Sequence, residues 1–189
     1  MKYSILFLTI LLFSCSTGKE KTEQHENHSD HSVENDQQVS KSPLQMAMTN
    51  VGKNHVHIEY YSPSKRGRQI FGGLVAYGEV WVTGAHNATS IRFSKDVQIG
   101  GVKVPEGKYA LFTIPGETEW TVIINKNWEQ HLADEYNEEE DLVRLRVKPR
   151  ILDEPVESLT YEVITKGEET GNILISWDDV EITFEVINY

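Results

Sequence analysis

Glycine and proline turns divide residues 65–127 into short runs that can only be strands or loops. Gly100 and Gly101 separate two runs, 97–99 and 102–104, in which apolar and polar residues alternate. Two glycines at such a place predict a two-residue hairpin, because both turn positions can require a positive φ. Further turns are predicted at residues 105–107 and 115–116. Strands this short with turns this regular favour a sandwich or barrel over a parallel α/β sheet.

Apolar residues at every second position predict further strands on both sides of this segment. Residues 109–114 are apolar on both faces and are expected to be buried on both. We expect Asp178 and Asp179 to turn the chain between two strands, and residues 128–133 to form a turn or two of helix. The alternating runs expected to face inward are Val56/Ile58/Tyr60, Ile91/Phe93, Trp120/Val122/Ile124, Val143/Leu145/Val147, Leu159/Tyr161/Val163, Ile173/Ile175/Trp177 and Ile182/Phe184/Val186.

These runs amount to about nine strands, and no long amphipathic helix accompanies them. The sequence therefore predicts an all-β fold, an antiparallel β-sandwich of jelly-roll-like type, over residues 44–189. Its 189 residues leave room for one such domain and a tail.

The N-terminus resembles a bacterial lipoprotein signal. Lys2 precedes a short apolar run, residues 3–13, which is about half the roughly 20 residues that a membrane-spanning helix needs. The only cysteine, Cys15, ends the segment Leu-Phe-Ser-Cys, which resembles a lipobox. The resemblance implies that residues 1–14 are a signal peptide and that Cys15 carries the lipid. A plain signal peptide with an incidental cysteine, or an uncleaved anchor, is the alternative.

A lipid on Cys15 would make the bilayer a partner. Ser16 rather than an acidic residue follows the cysteine, which resembles outer-membrane sorting and implies an outer membrane-anchored protein of the cell envelope, facing either the periplasm or the surface. Residues 15–43 are almost free of apolar side chains and are predicted to be a disordered tether, because such a composition cannot offset the entropy cost of ordering.

Two groups of histidines are candidate metal ligands. His25, His28 and His31 lie in the tether at three-residue spacing, with carboxylates between them, and imidazole with carboxylate suits Zn or Cu. A solvated linker that happens to contain histidine is the alternative. His55 and His57 would share the outer face of one strand. His86 and Glu59 are the suggested third ligands, and the alternative is an exposed polar strand face.

Aromatic and polar residues in a loop-rich part of the predicted domain form a candidate ligand cleft. The alternative is a hydrophobic corner with a polar rim. The candidate cleft residues are Arg68, Tyr77, Trp81, Thr83, His86 and Asn87.

Three segments carry a family resemblance: IFGGLVAYGEVWVTGA, KYALFTIPG and EWTVIINKN. They are similar to the domain of unknown function 2911, a family of exported bacterial proteins largely from Bacteroidetes, and the similarity runs from about residue 60 to the C-terminus. It implies a predominantly β domain and supplies no established activity. Three positions depart from the family pattern, with Ala76 in place of Pro, Val82 in place of Arg and His86 in place of Asn. A polar site built on that Arg and Asn would be altered here.

Charge and motifs exclude several function classes. The net charge is −11, and nucleic-acid binding needs clustered Lys and Arg that this chain lacks. The sequence contains neither Gly-x-Ser-x-Gly nor His-Glu-x-x-His, and no phosphate loop. We therefore expect a membrane-anchored envelope lipoprotein that is a non-catalytic binding or structural module for a small ligand, a glycan or an envelope protein.

Two alternatives remain open. One is a lipoprotein that handles zinc or copper through its histidine-rich tether. The other is an envelope enzyme that uses His86, Tyr77 or Arg68 as an acid–base or binding group, since such groups need no local motif. No cofactor is firmly implied, and a divalent metal is the one candidate.

Overall fold

Ten strands make up most of the computed structural model, which describes residues 41–189. Its only helical element within that range is a 3₁₀ turn at Glu138–Glu140. The strands are β1 Leu44–Val51, β2 Asn54–Tyr61, β3 Ser90–Phe93, β4 Val97–Ile99, β5 Val102–Val104, β6 Gly107–Ile114, β7 Trp120–Asn125, β8 Asp141–Val147, β9 Arg150–Thr165 and β10 Thr170–Asn188.

The strands form two antiparallel sheets, which confirms the predicted all-β fold. The first sheet has the order β1-β2-β3-β6-β7-β8, and the second has the order β5-β4-β10-β9. The chain leaves the first sheet after β3 to make the β4–β5 hairpin, returns for β6 to β8, and ends with the long β9–β10 hairpin of the second sheet. The sheets face each other and do not close into one barrel.

The β4–β5 hairpin has the turn that the two glycines predict. Ile99 pairs with Val102, so Gly100 and Gly101 are the two central turn residues. Their φ angles are 57° and 84°. Two positive φ values in succession are the conformation that glycine adopts most readily, and their twist matches that of the flanking strands.

The main core lies between the two sheets and consists of the inward half of each alternating run. Val56, Ile58 and Tyr60 are buried on β2, while His55 is exposed and His57 half-buried on the opposite face. The sequence prediction for this strand is therefore confirmed. The largest side chains that are fully buried include Phe93, Ile58, Ile91, Leu111, Ile124, Leu159, Ile173 and Trp177.

A smaller core lies on the outer face of the first sheet. Ala110, Phe112 and Ile123 point away from the main core, and residues of the loops 80–88 and 128–136 cover them. Phe112 contacts the ring of Tyr136 at 5.4 Å between ring centres. Strands β6 and β7 are therefore buried on both faces, as predicted for residues 109–114.

Two local predictions were wrong. Residues 128–133 form no helix, because His131 pairs with Asn87 in an isolated bridge and the chain then turns at Leu132, whose φ is 50°. Asp178 and Asp179 do not turn the chain. Strand β10 continues through them with a bulge at Asp178, where φ is 54° and the pairing with β9 shifts register on both sides.

Several predictions fall on residues outside the described range. They are the signal peptide 1–14, the lipid on Cys15, the tether up to residue 40, and the histidines His25, His28 and His31. Within residues 41–189, no helix is long and apolar enough to cross a membrane.

Replacing Trp120 with Ala tests the position of the main core. Trp120 is 3% exposed and its ring meets that of Phe71 at 4.9 Å between centres. We expect the substitution to lower the free energy of unfolding by about 3–5 kcal/mol, because it leaves a large cavity. Urea denaturation measures the change. Ile151→Ala is the control, since Ile151 is 66% exposed and its loss should stay within about 0.5 kcal/mol. A cost under about 1 kcal/mol for Trp120→Ala would place this side chain outside the core.

Candidate functional site

A groove of about 480 Å³ brings together three of the six predicted cleft residues. These are Arg68, Trp81 and His86. Such a volume is within the range of small-ligand sites in proteins. The groove is lined by Lys41, Ser42, Pro63, Arg66, Arg68, Leu74, Val75, Trp81, Gly84, Ala85, His86, Leu132 and Trp177.

Stacked indole rings form the apolar wall of the groove. Trp81 and Trp177 lie 5.8 Å apart between ring centres with an angle of 21° between their planes. The Trp81 indole N–H donates to the carbonyl of Gly84 at 3.2 Å, and the Trp177 indole N–H donates to the carbonyl of Glu157 at 3.2 Å. Because both indole donors are used within the protein and Trp177 is 2% exposed, the accessible surface of this wall is mainly the apolar ring of Trp81, with Trp177 packed behind it.

The backbone fixes Trp81 against the first sheet. Its N–H donates to the Thr113 carbonyl at 2.8 Å, and the Thr113 N–H donates back at 3.0 Å. The following corner requires glycine at position 84, since a Cβ there would lie 2.8 Å from Thr89 Oγ1 and 3.3 Å from the Tyr61 carbonyl. The indole is therefore held in place before any ligand arrives.

The rim of the groove is cationic. Arg68 donates from Nε to the Lys65 carbonyl at 3.0 Å and from Nη2 to the Ser64 carbonyl at 2.6 Å. Arg66 donates from Nη2 to the Lys41 carbonyl at 2.9 Å. Among residues 41–189, neither guanidinium forms an ion pair with a carboxylate.

Acidic groups near the rim are already occupied. The Glu157 carboxylate accepts the backbone N–H of Arg66 at 2.8 Å. Asp178 forms an ion pair with Lys65, and the hydrogen bond from Lys65 to that carboxylate raises the pKa of the ammonium group. The groove lining itself contains no Asp or Glu. The positive charges of Arg66 and Arg68 therefore remain available, although the whole chain is acidic.

Left-handed backbone conformations cluster at this groove. Arg66, His86 and Leu132 line it and have φ angles of 51°, 61° and 50°. The two other non-glycine residues with positive φ in the described range, Thr83 and Asp178, are sequence neighbours of lining residues. Each such conformation costs about 1–3 kcal/mol of folding free energy and persists only where the surrounding structure holds it. Residues of this kind are concentrated at active sites and ligand sites.

Thr83 supports the groove from inside the protein instead of lining it. It is fully buried, and its carbonyl accepts hydrogen bonds from the Tyr161 hydroxyl at 2.7 Å and from Thr89 Oγ1 at 3.1 Å. Its hydroxyl lies 2.9 Å from that of Thr113. These hydrogen bonds hold Thr83 in its left-handed conformation, in the segment that joins Trp81 to Gly84.

Tyr77 and Asn87 lie in two other cavities. Tyr77 lines a cavity of about 270 Å³ together with Trp120 and Asp179. Asn87 lines one of about 500 Å³ together with Glu59 and Lys108. The structure thus divides the predicted cleft residues between a groove, a buried network and two neighbouring cavities.

The cavity beside Asn87 is as large as the groove, but its charges are paired. Lys108 donates to Glu59 at 2.7 Å and lies 4.2 Å from the centre of the Trp128 ring. The hydrogen bond from Lys108 holds the pKa of Glu59 below its usual value. Because the ammonium is already shared between a carboxylate and an indole, this cavity has less charge to offer an anion than the groove.

The suggested third ligands do not join His55 and His57. His86 contacts the ring of Tyr61 at 5.0 Å between centres, and Glu59 is bound to Lys108. Within residues 41–189, no group of three or more His, Cys, Asp or Glu side chains is placed to hold a metal ion.

Sequence reasoning missed Lys41, Arg66, Leu132 and Trp177 as groove residues. Arg66 belongs to the densest basic cluster of the chain, so its charge was a usable signal. Trp177 was expected only as an inward-facing core residue, and it does have that role with 2% exposure. Leu132 lies far along the chain and reaches the groove because its N–H donates to the His86 carbonyl at 2.7 Å.

A family profile described as protein of unknown function, DUF2911, matches residues 42–186. The chain belongs to this family. The match begins close to β1 and ends within β10, so the DUF2911 region includes every strand of both sheets and nearly all of the groove. The predicted membership of the DUF2911 family is thereby confirmed. Searches of curated proteins and of solved structures returned no match.

Replacing Tyr161 with Phe tests the network behind the groove. The substitution removes the hydrogen bond to Thr83, and we expect the free energy of unfolding to fall by about 1–1.5 kcal/mol. Urea denaturation at pH 7 measures it. Tyr189→Phe is the matched control, because Tyr189 is 75% exposed and its loss should change stability by less than about 0.5 kcal/mol. Equal effects of the two substitutions would contradict the role given to the Tyr161 hydroxyl.

The same substitution should change the response to alkali. Burial raises the pKa of Tyr161 well above its usual value, whereas a tyrosine in the unfolded chain has a pKa of about 10. The unfolded state therefore loses this proton first, so stability is retained below about pH 10 and falls as the pH rises further. We expect Tyr161→Phe to reduce the slope of that fall, measured by urea midpoints between pH 8 and pH 11. An unchanged slope would show that Tyr161 ionises as easily in the folded state.

Proposed function

We propose that this DUF2911 protein is a membrane-anchored binding module whose groove holds an anionic ligand with a flat or apolar body. The observation that carries the proposal is the placement of two guanidinium groups, Arg66 and Arg68, which form no ion pair within residues 41–189, beside the Trp81–Trp177 wall. The ligand is a small molecule or the terminal part of an acidic glycan.

The charge of the rim favours an anion. A guanidinium has five N–H donors. Arg68 donates to backbone carbonyls from Nε and Nη2, and Arg66 donates to a backbone carbonyl from Nη2. The remaining donors can form paired hydrogen bonds with a carboxylate, sulfonate or phosphate. Because the backbone bonds already orient both side chains, less rotamer entropy is lost when the ligand binds.

The groove suits binding better than catalysis. Its lining contains no Asp, Glu or Cys, so His86 has no acidic partner there to act with as a general acid–base pair. His86 instead packs edge-on against Tyr61. The positive φ of Arg66, His86 and Leu132 keeps the site in one shape, which lowers the cost of binding.

Attachment to the envelope membrane completes the proposal. It is supported by the lipobox-like segment ending at Cys15 and by the polar segment that precedes β1. A flexible segment of this length spans about 30 Å on average, which would hold the domain clear of lipid headgroups.

Matched aromatic probes test the groove. We expect 2-naphthoate to bind the soluble chain from Ser16 to Tyr189 at least tenfold more tightly than the neutral 2-naphthylmethanol, measured by calorimetry. The reason is that both naphthyl rings pack against the Trp81 indole but only the carboxylate pairs with the rim. Arg66→Gln and Arg68→Gln should each weaken 2-naphthoate binding about three- to tenfold and leave the neutral probe unchanged.

Arg92→Gln is the control for these variants. It removes the same charge from an exposed position on β3 that does not line the groove. We expect it to keep the affinity within twofold. Equal losses for Arg92→Gln and Arg68→Gln would mean that only net charge matters, and equal affinity for the two probes would contradict an anion site.

Substitution of Cys15 tests the anchor separately. In the native host, the unmodified chain should incorporate labelled palmitate and sediment with membranes. Cys15→Ala should abolish the label and release the protein, because the sole thiol is gone. Label that persists in Cys15→Ala would contradict lipid attachment at this residue, while groove binding by the soluble chain is unaffected by either result.

A further inference from the structure

The β1–β2 hairpin places a methionine and an asparagine opposite two histidines on the outer face of the first sheet. Met48 pairs directly with His57, and Asn50 pairs directly with His55. Directly opposed residues of an antiparallel pair have their side chains on the same face, with Cβ atoms about 4.5–5.5 Å apart. The thioether makes this cluster a different kind of ligand set from the groups of three or more His, Cys, Asp and Glu side chains that residues 41–189 lack.

The His55 ring is already oriented as a metal ligand would be. Its Nδ1 lies 2.9 Å from Asn50 Oδ1. An amide oxygen only accepts, so Nδ1 carries the proton and Nε2 has the free lone pair. A hydrogen bond of this kind on the far nitrogen is the usual way in which proteins orient imidazoles that bind metals.

His57 carries an unexplained polar atom. Its Nε2 is buried beneath neighbouring side chains and has no hydrogen-bond partner in the described structure. Nearly all buried polar atoms of native proteins are satisfied, and an exception often marks a missing ion or water. The unpartnered nitrogen belongs to the residue that faces Met48.

The two rings are close enough to share one ion. Their centres are 6.0 Å apart. A nitrogen lies about 1 Å from its ring centre and binds metal at about 2.0–2.1 Å, so two imidazoles on opposite sides of one ion have centres about 6 Å apart. Met48 supplies a third donor, and it is half exposed, so its flexible thioether is free to turn toward the rings.

We propose that His55, His57 and Met48 form a site for a soft monovalent ion, Cu(I). Thioether sulfur selects Cu(I) over Zn²⁺, whose protein ligands are thiolate, imidazole and carboxylate. The charges around the site also favour a monovalent ion over a divalent one. Arg92 pairs with His57 from β3, and Glu59 is bound to Lys108, so a divalent ion would meet a cation without a free carboxylate.

This site is independent of the groove and of the tether. It lies on β1 and β2 and shares no lining residue with the groove. For the test, His25, His28 and His31 are replaced by Ala in the soluble chain from Ser16 to Tyr189, so that the tether cannot contribute ligands. This variant is the parent for the measurements below.

Methionine methyl NMR gives a direct readout. Met46 and Met48 are the only methionines beyond Met1. Titration of the parent with Ag(I), a redox-inert stand-in for Cu(I), should shift the Met48 methyl signal with a stoichiometry of one. Met46 faces Glu59, two positions away, and its signal should shift much less. Equal shifts of both signals, or none, would overturn the assignment.

Competition with bicinchoninate under anaerobic conditions gives the Cu(I) affinity. We expect Met48→Leu, His55→Gln and His57→Gln each to weaken binding at least tenfold, whereas Met46→Leu, the matched control, should remain within twofold. Thermal unfolding confirms that each variant is folded. Failure of the parent to compete for Cu(I), or an unchanged affinity in Met48→Leu, would refute the site.

Discussion

Strands β6 and β7 bury apolar side chains on both faces, and this double burial determines how the surrounding segments pack. Leu111 and Val122 face the second sheet, while Phe112 and Ile123 face the other way and must also be removed from water. Two loops that are distant in sequence, 80–88 and 128–136, cover these side chains on the outer face of the first sheet. The loops are joined there by hydrogen bonds from Ala88 N–H to the Gln130 carbonyl at 3.0 Å and from Leu132 N–H to the His86 carbonyl. The groove exists because these loops meet at its edge.

Charge distinguishes the surfaces of this acidic protein. Several cations of residues 41–189 are neutralised locally, as in the Arg150–Glu181 and Lys103–Asp96 pairs, and exposed pairs of this kind contribute little to stability. The groove differs because its guanidinium groups are bonded to backbone carbonyls, which orient them without neutralising them. The histidine and methionine face of β1 and β2 differs again, since it presents imidazole nitrogen and thioether sulfur. The two surfaces therefore present different chemical groups to solvent.

Periodicity and turn chemistry predicted most of the fold, since alternation and paired glycines act over a few residues. The β4–β5 hairpin and the inward face of β2 followed directly. The bulge at Asp178 was mistaken for a turn, because two aspartates resemble a turn in sequence while pairing with β9 keeps the strand continuous. The groove was predicted only in part, because Trp81 and Trp177 meet through packing between sheets. The pairing of Met48 with His57 could have been predicted from the sequence, since a two-residue turn between β1 and β2 fixes which residues face each other.

We propose that an anionic ligand binds in the groove beside Trp81. The most direct measurement is the set of intermolecular NOEs between bound 2-naphthoate and assigned side chains of the soluble chain. We expect contacts to the methyl groups of Leu74 and Leu132 and to the Trp81 ring, all of which line the groove. Contacts to Leu44 and Trp128, which line the cavity beside Asn87, would contradict it.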